Sequence, residues 1–392
     1  MDRKILQPKV QHFIHNFTGH VKDLVFSKSP FEGIMTKTLV QQIEGRQKSL
    51  KKLPTFYTAT GVYFPPKLNI GQASSEITAN YKASLVAGRT LADITGGLGV
   101  DSLAFSKKFE TVHYFELNTE LAEIAAHNFK VFGAGNITAK NEDGTAAVTT
   151  KKYDVIYADP SRRDAQKEKT FTLHRSQPDI PANLGAILKN SKTFLLKTAP
   201  MLDITEGLRA LKHVVEVHCV AVNNEMKELL WVIKNGSKQL PKIVAKNFQG
   251  GTAQHFSFYL NEEKETVYSP PKRFLYDPNV ALRKAGAFKV ISKNFKVAKL
   301  HEHTHLYTGS VLRDFPGRRF FIKQVTPYSK TNMKRTLRGS KGNIATRNFP
   351  ETVQQLSTKW KITDGGGAYL FFVTLLGGKK VVLHCEKINS PV

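Results

Sequence analysis

The run Asp159-Pro160-Ser161-Arg162-Arg163 follows the apolar stretch Tyr153–Ala158 without a break. A strand that ends in Asp-Pro carries a carboxylate to the edge of a sheet, and proline fixes the turn behind it. Such a carboxylate can orient an incoming amine or hydroxyl. Arg162 and Arg163 can each clamp a phosphate or carboxylate through paired N–H donors. A bridge from one arginine to Asp159, or a solvated turn, is the alternative.

Three acids upstream occupy comparable places. Asp93 heads the turn Ile94-Thr95-Gly96-Gly97-Leu98-Gly99, where glycines let the backbone approach a ligand and the following helix presents unpaired N–H groups. A dinucleotide site would need a third glycine at position 102, which is serine. An acidic head favours instead a ligand with a cationic amino group, met directly or through water. Asp101 lies just inside the helix. Glu116 ends the next strand, where a carboxylate can accept both hydroxyls of a ribose, with Asn118 beside it. Asp143 ends the third strand and is positioned to accept from an adenine amino group. Before the glycine turn, Gln72-Ala73-Ser74-Ser75-Glu76 is a polar segment in which Ser74 or Ser75 suits a helix N-cap.

Tips of successive strands can converge only on a parallel sheet. Short apolar runs (TLADIT, TVHYFEL, NITAKN, YDVIYAD, KTFLLKTA, VVEVHCVAV, ELLWVIK) alternate with helical segments, which predicts an α/β, doubly wound, Rossmann-like sheet. The expected organisation is a mostly helical region over 1–85, the sheet domain over 86–240, a strand-rich connection over 241–317 and a small α+β module over 318–392. SPPKRFLYDP, near 269–278, reads as a linker, and GGGAYLFFVTLLGGKKVVLHCEK as a closing β-hairpin.

The 392 residues contain 58 Lys and Arg against 32 Asp and Glu, a net charge of +26. Such a field attracts polyanions, and nucleic acid is the leading partner class, with a merely basic enzyme as the alternative. Between Val311 and Arg347 ten cations face one acid, Asp314, with Phe315, Phe320, Phe321 and Tyr328 interleaved. Cys219 and Cys385 form no CxxC pair, so no structural zinc is indicated. His301, His303 and His305 could share one face of an extended strand, but no fourth ligand accompanies them, and no metal is expected. The longest apolar run, at 368–376, is too short to span a bilayer, so no membrane is expected and the cytoplasm is the default compartment.

The acids at three strand tips, the glycine turn and the Asp-Pro pair together resemble the class I S-adenosylmethionine-dependent methyltransferases over about residues 70–235. That resemblance implies S-adenosylmethionine as cofactor, held by Gln72, Ser75, Asp93, Thr95, Gly96, Gly97, Gly99, Asp101, Glu116, Asn118 and Asp143. It places the transfer site at Asp159, Pro160, Ser161, Arg162 and Arg163. The branch that it resembles, acting on RNA or other large substrates, carries Asp/Asn-Pro-Pro-aromatic at this strand end; this chain keeps the first pair and replaces the rest with Ser-Arg. The spelling is also similar to the DPPR of enzymes that form 5-methyluridine with a cysteine nucleophile, but Cys219 lies in an apolar strand and reads as core. Over nearly the whole chain, KLPTF, QASSEITANYKASL, DITGGLGVDS and LYDPNVALRKAGAF resemble bacterial methyltransferases that end in a THUMP-like domain preceded by a short ferredoxin-like segment. The implied function is methylation of RNA. A non-catalytic RNA-binding protein on the same scaffold is the rival, as is a methyltransferase acting on a protein or small acid.

Overall fold

The computed structural model describes residues 1–162, 173–262 and 265–389, which fall into two compact units. The first comprises residues 1–216 and 229–239, the second residues 217–228 and 240 onward.

In the first unit the apolar runs form β1 (Thr90–Asp93), β2 (Thr111–Phe115), β3 (Ile137–Lys140), β4 (Tyr153–Ala158) and β5 (Ser191–Thr198). All pair in parallel, and the hairpin β6 (Val214–Val222) and β7 (Glu225–Ile233) extends the order to β3-β2-β1-β4-β5-β7-β6. β7 runs antiparallel to β5, and the hairpin tip belongs to the second unit. The central segments Val155–Ala158 of β4 and Phe194–Leu196 of β5 are continuously apolar and buried, as in parallel strands covered on both faces. After β3 the chain returns to the other side of β1. The crevice between β1 and β4 is therefore the switch point at which such sheets bind ligands. Register aligns the strand ends there: Asp93 pairs with Tyr114 on one side and Tyr157 on the other.

The helix Thr119–Val131 seats Ala122, Ala125 and Phe129 on Tyr114 of β2. From its other side Ile124 joins Val10, Ile14, Leu39 and Ile43 of the N-terminal helices Pro8–Asn16 and Thr36–Lys52. Asn128, fully buried, bonds both the N–H and the carbonyl of Tyr63 and so ties the N-terminal region to this helix.

The second unit holds the hairpin β8 (Lys242–Gln249) and β9 (Thr252–Tyr259), closed by Gly250-Gly251, both at positive φ as a two-residue hairpin turn requires. It continues into a seven-stranded sheet of β10 (Phe274–Pro278), β11 (Ala298–Lys299), β12 (Tyr307–Gly309), β13 (Gly317–Pro327), β14 (Asn343–Arg347), β15 (Ala368–Thr374) and β16 (Lys380–Ile388), ordered β11-β12-β10-β13-β16-β15-β14. Along β15, Leu370 and Phe372 enter one core with Trp360, while Phe371 and Val373 enter another with Phe320. The period of two thus feeds two hydrophobic layers.

Two expectations change. The stretch read as a linker contains β10, a strand inside the sheet whose Leu275 and Tyr276 are fully buried. Of the aromatics interleaved with cations, Phe315 and Phe320 are core residues. The three histidines share no extended strand: residues 302–304 form a turn, and His305 stacks on Phe288 at positive φ. No cluster of three or more metal-ligating side chains occurs among the described residues.

Candidate active site

An open cleft of 1020 Å³ lies over the carboxyl ends of the parallel strands. Of the residues singled out from sequence, Gln72, Thr95, Gly96, Gly97, Gly99, Asp101, Glu116, Asn118, Asp143, Asp159, Pro160 and Ser161 line it. Asp93 and Ser75 are not among the lining residues. Arg162 forms a two-residue strand pair with Ser176, and Arg163 lies outside the described residues.

The glycine turn is held by its neighbours. Gly96 donates to the Phe115 carbonyl (2.8 Å), and Gly97 donates to Glu116 Oε2 (2.8 Å) while its carbonyl accepts from the Tyr114 hydroxyl (2.6 Å). A Cβ on Gly96 would overlap the Tyr114 ring. Gly96→Ala is therefore expected to cost about 1–3 kcal/mol through overpacking, read as a lowered denaturation midpoint. Gly97 differs: at φ +56° its Cβ would meet no protein atom nearer than 3.8 Å. A side chain there would fill cleft space that the turn keeps open for a ligand.

Glu116 Oε1 accepts from the Asn118 N–H (2.8 Å), so each carboxylate oxygen carries one backbone bond and retains a further lone pair. Asp143 caps the short helix Gly144–Ala147 through Thr145, and Asn118 caps Thr119–Val131. Ser75 is the N-cap of Glu76–Ser84, the structural half of its two expected roles.

Asp93 is buried beneath the turn, accepting from Ser102 Oγ (2.6 Å) and the Thr95 N–H (3.1 Å). Burial pushes its carboxyl up to about 7, with the nearby charge of Asp101 adding to the shift against those two hydrogen bonds. The residue whose identity excluded a dinucleotide motif is thus the partner that Asp93 needs. Thr95 Oγ1 in turn accepts from the Asp159 N–H (2.6 Å), joining the glycine turn to the Asp-Pro turn.

Two lysines at the site are absent from the residues singled out from sequence. Lys197, on β5, places Nζ 2.6 Å from Asp159 Oδ2 and also lines the cleft. Among the described side chains the cation on Asp159 is this lysine; the arginine alternative falls on the Arg162 side chain and on Arg163, outside what is described. Lys82 is fully buried, bonded to Ser74 Oγ (2.7 Å) and paired with Asp101 Oδ1 (3.1 Å). Asp101 Oδ2 accepts from Ser74 and from Tyr157, so this network fixes one wall of the cleft. A lysine within an apolar strand or on an inward helix face is a usable sequence signal for both. Cys219 is fully buried and its thiol is pushed up to about 12 by burial, far from a nucleophile's range.

Five carboxylates, Asp101, Glu116, Asp143, Asp159 and Asp179, line the cleft against the single lysine Lys197 among the described residues. In a chain of net charge +26 this is a local inversion of sign, suited to a cationic ligand.

Residues 274–316 match a ferredoxin-like domain family and residues 317–387 a THUMP domain-like family. The solved structure of a candidate methyltransferase from Porphyromonas gingivalis W83 is 29% identical, covers 99% of this chain and 99% of its own, and superposes with a TM-score of 0.88. The chain has the fold of a methyltransferase joined to ferredoxin-like and THUMP-like domains. Two further solved structures align with part of the chain: a candidate RNA methyltransferase from Pyrococcus horikoshii (13% identity, 47% of this chain and 97% of that one, TM-score 0.33) and an rRNA methylase from Streptococcus thermophilus (12%, 40% and 94%, 0.30). No relative is found among curated proteins. No helix among the described residues is long and apolar enough to cross a membrane.

Proposed function

We propose that the chain is an S-adenosylmethionine-dependent methyltransferase acting on RNA. The observation that carries this reading is the acid-lined cleft on a glycine turn, at the switch point of a parallel sheet, within an otherwise strongly basic chain. S-adenosylmethionine, when bound, supplies an electrophilic methyl group on a sulfonium. Glu116 would bind its ribose hydroxyls, Asp143 its adenine amine, and the backbone of Gly96 to Gly99 would lie against it. Gln72, Asp101 and Asn118 would line its surroundings, with Asp93 below the turn. The basic second unit and its THUMP-like domain support RNA as the acceptor, with Arg162 and Arg163 as phosphate contacts at the transfer site.

Lys197 holds Asp159 Oδ2, which leaves Oδ1 to accept a hydrogen bond from the incoming nucleophile and fix its line of approach. Transfer from a sulfonium needs positioning more than strong base, so Asp159→Ala is expected to lower kcat about 10²-fold. Cofactor affinity should stay within about twofold, because Asp159 touches the acceptor side. Single-turnover and equilibrium binding measurements separate the two.

Asp93 gives the site a pH dependence. Its carboxyl, raised to about 7 by burial, is mostly protonated at pH 6 and mostly ionised at pH 8. A cationic cofactor favours the ionised form, so affinity should rise about tenfold over that interval with proton release near neutrality. Calorimetry in buffers of different ionisation enthalpy reads both, and Asp93→Asn should flatten the profile. The sign for folding is opposite: the unliganded protein prefers the protonated carboxyl, so this group's contribution to stability falls as pH rises from about 4 towards 7.

The whole reading is tested by incubating the protein with methyl-labelled S-adenosylmethionine and RNA from a strain lacking it. Label in RNA is the expected result. Label only in protein or small molecules, or in nothing while the cofactor binds, would overturn it.

A further inference from the structure

A second cleft, of 290 Å³, lies wholly within the second unit, at the small end of ligand pockets. Asn224, Gln254, Asn279, Arg318, Arg319 and Lys387 are among its lining residues. Its base is a chain of carboxamides. Asn247, fully buried, donates to Gln254 Oε1 (3.2 Å), and Asn279 donates to the same oxygen (2.9 Å). With that oxygen bonded twice, Gln254 is fixed with its Nε2 donors as the group left for a ligand acceptor. Asn279 and Asn224 are held in turn, each side-chain oxygen accepting from a backbone N–H of Leu282 and Val280. This polar wall is pre-formed.

The second component is charge. Arg318 donates to the buried Asp277, which also accepts from Arg283 and Arg347, so three guanidiniums share one carboxylate. Arg318 reaches the cleft from this cluster and keeps part of its side chain exposed, while Lys387 is exposed on β16. Asp314 is the one acid among the described lining residues. Fixed amide donors beside an excess of cations match a ligand with a hydrogen-bond-accepting ring edge and a phosphate.

We propose that this cleft holds one unpaired nucleotide of an RNA chain, its phosphate on Arg318 and Lys387 and its base edge on Gln254. The RNA part rests on the reading given above, whereas nucleotide binding can be measured without it. The probes are the four nucleoside monophosphates, inorganic phosphate and a single-stranded trinucleotide, titrated calorimetrically into the full chain. At least one monophosphate should bind, and Gln254→Ala should weaken it about tenfold, the worth of a good base-edge contact. Lys387→Ala should weaken monophosphate and inorganic phosphate alike, and Gln254→Ala should leave inorganic phosphate unmoved. Glu116→Ala, in the first cleft, should change none of these. The trinucleotide should bind with the same dependence on Gln254. The inference is overturned if no monophosphate binds, if binding follows Glu116, if phosphate alone binds as tightly, or if RNA ignores Gln254. Methyl transfer to RNA is a separate readout. Its absence beside Gln254-dependent monophosphate binding removes the RNA reading, while RNA methylation beside unaltered binding in Gln254→Ala removes only this site.

Discussion

Glu116→Ala is expected to weaken S-adenosylmethionine binding by about 10²- to 10³-fold. Each Glu116 oxygen already takes one backbone N–H, from Gly97 and from Asn118, and each retains a lone pair on the cleft side for a ribose hydroxyl. Hydrogen bonds to a charged acceptor contribute about 1.5–3 kcal/mol each; two of them correspond to about two to four decades of affinity, and the lower part of that range is expected in an open, solvated cleft. The alanine also frees the Gly97 N–H, loosening the turn that must receive the ligand. Glu116→Gln keeps one acceptor oxygen and loses the charge, so about tenfold is expected. Equilibrium titration of both variants, with thermal unfolding of the unliganded proteins as control, separates a binding loss from a folding loss. Affinity of Glu116→Ala within threefold of wild type would remove the adenosyl pocket from this cleft.

What the sequence made legible followed from repetition. An apolar run such as Val155–Ala158 is a strand segment buried on both faces, and the acid after such a run stands at the sheet's edge. Glu116, Asp143 and Asp159 were found this way, and register then carries them to one cleft. What stayed hidden depends on partners distant in sequence. Lys197 is 38 residues from Asp159, and Lys82 is 19 from Asp101; only the fold brings each pair together. Asp93 reads as a ligand contact because of its place at the head of the turn, yet Ser102 and Thr95 claim its oxygens below the surface. At 269–278 the prolines of SPPKRF outweighed the following FLYDP, whose pairing with β12 and β13 is set by residues more than thirty positions later. Punctuation is local and pairing is not.

Asp277→Ala is expected to destabilise the second unit by about 3–5 kcal/mol, the usual cost of removing one partner from a buried ion pair. Asp277 is 2% exposed and accepts from Arg283, from Nε and Nη2 of Arg318 (3.1 and 2.6 Å) and from Arg347 (3.4 Å). Without it three guanidiniums are left crowded around a cavity with no counter-charge. The loss does not triple, because the arginine side chains are 23–38% exposed and can recover some hydration. Asp277→Asn preserves shape and one acceptor and should cost about 1–3 kcal/mol, the range for an imperfectly satisfied polar group. The protein's two tryptophans allow the effect to be located, since Trp231 lies in the first unit and Trp360 in the second. In denaturant, the unfolding midpoint reported by Trp360 in a Trp231→Phe background should fall, and that reported by Trp231 in a Trp360→Phe background should fall less. Added phosphate should partly restore the Trp360 midpoint of Asp277→Ala by supplying the missing anion. Equal midpoints in Asp277→Ala and wild type would mean that the arginines are held apart by packing alone, and that the carboxylate does not organise the cluster.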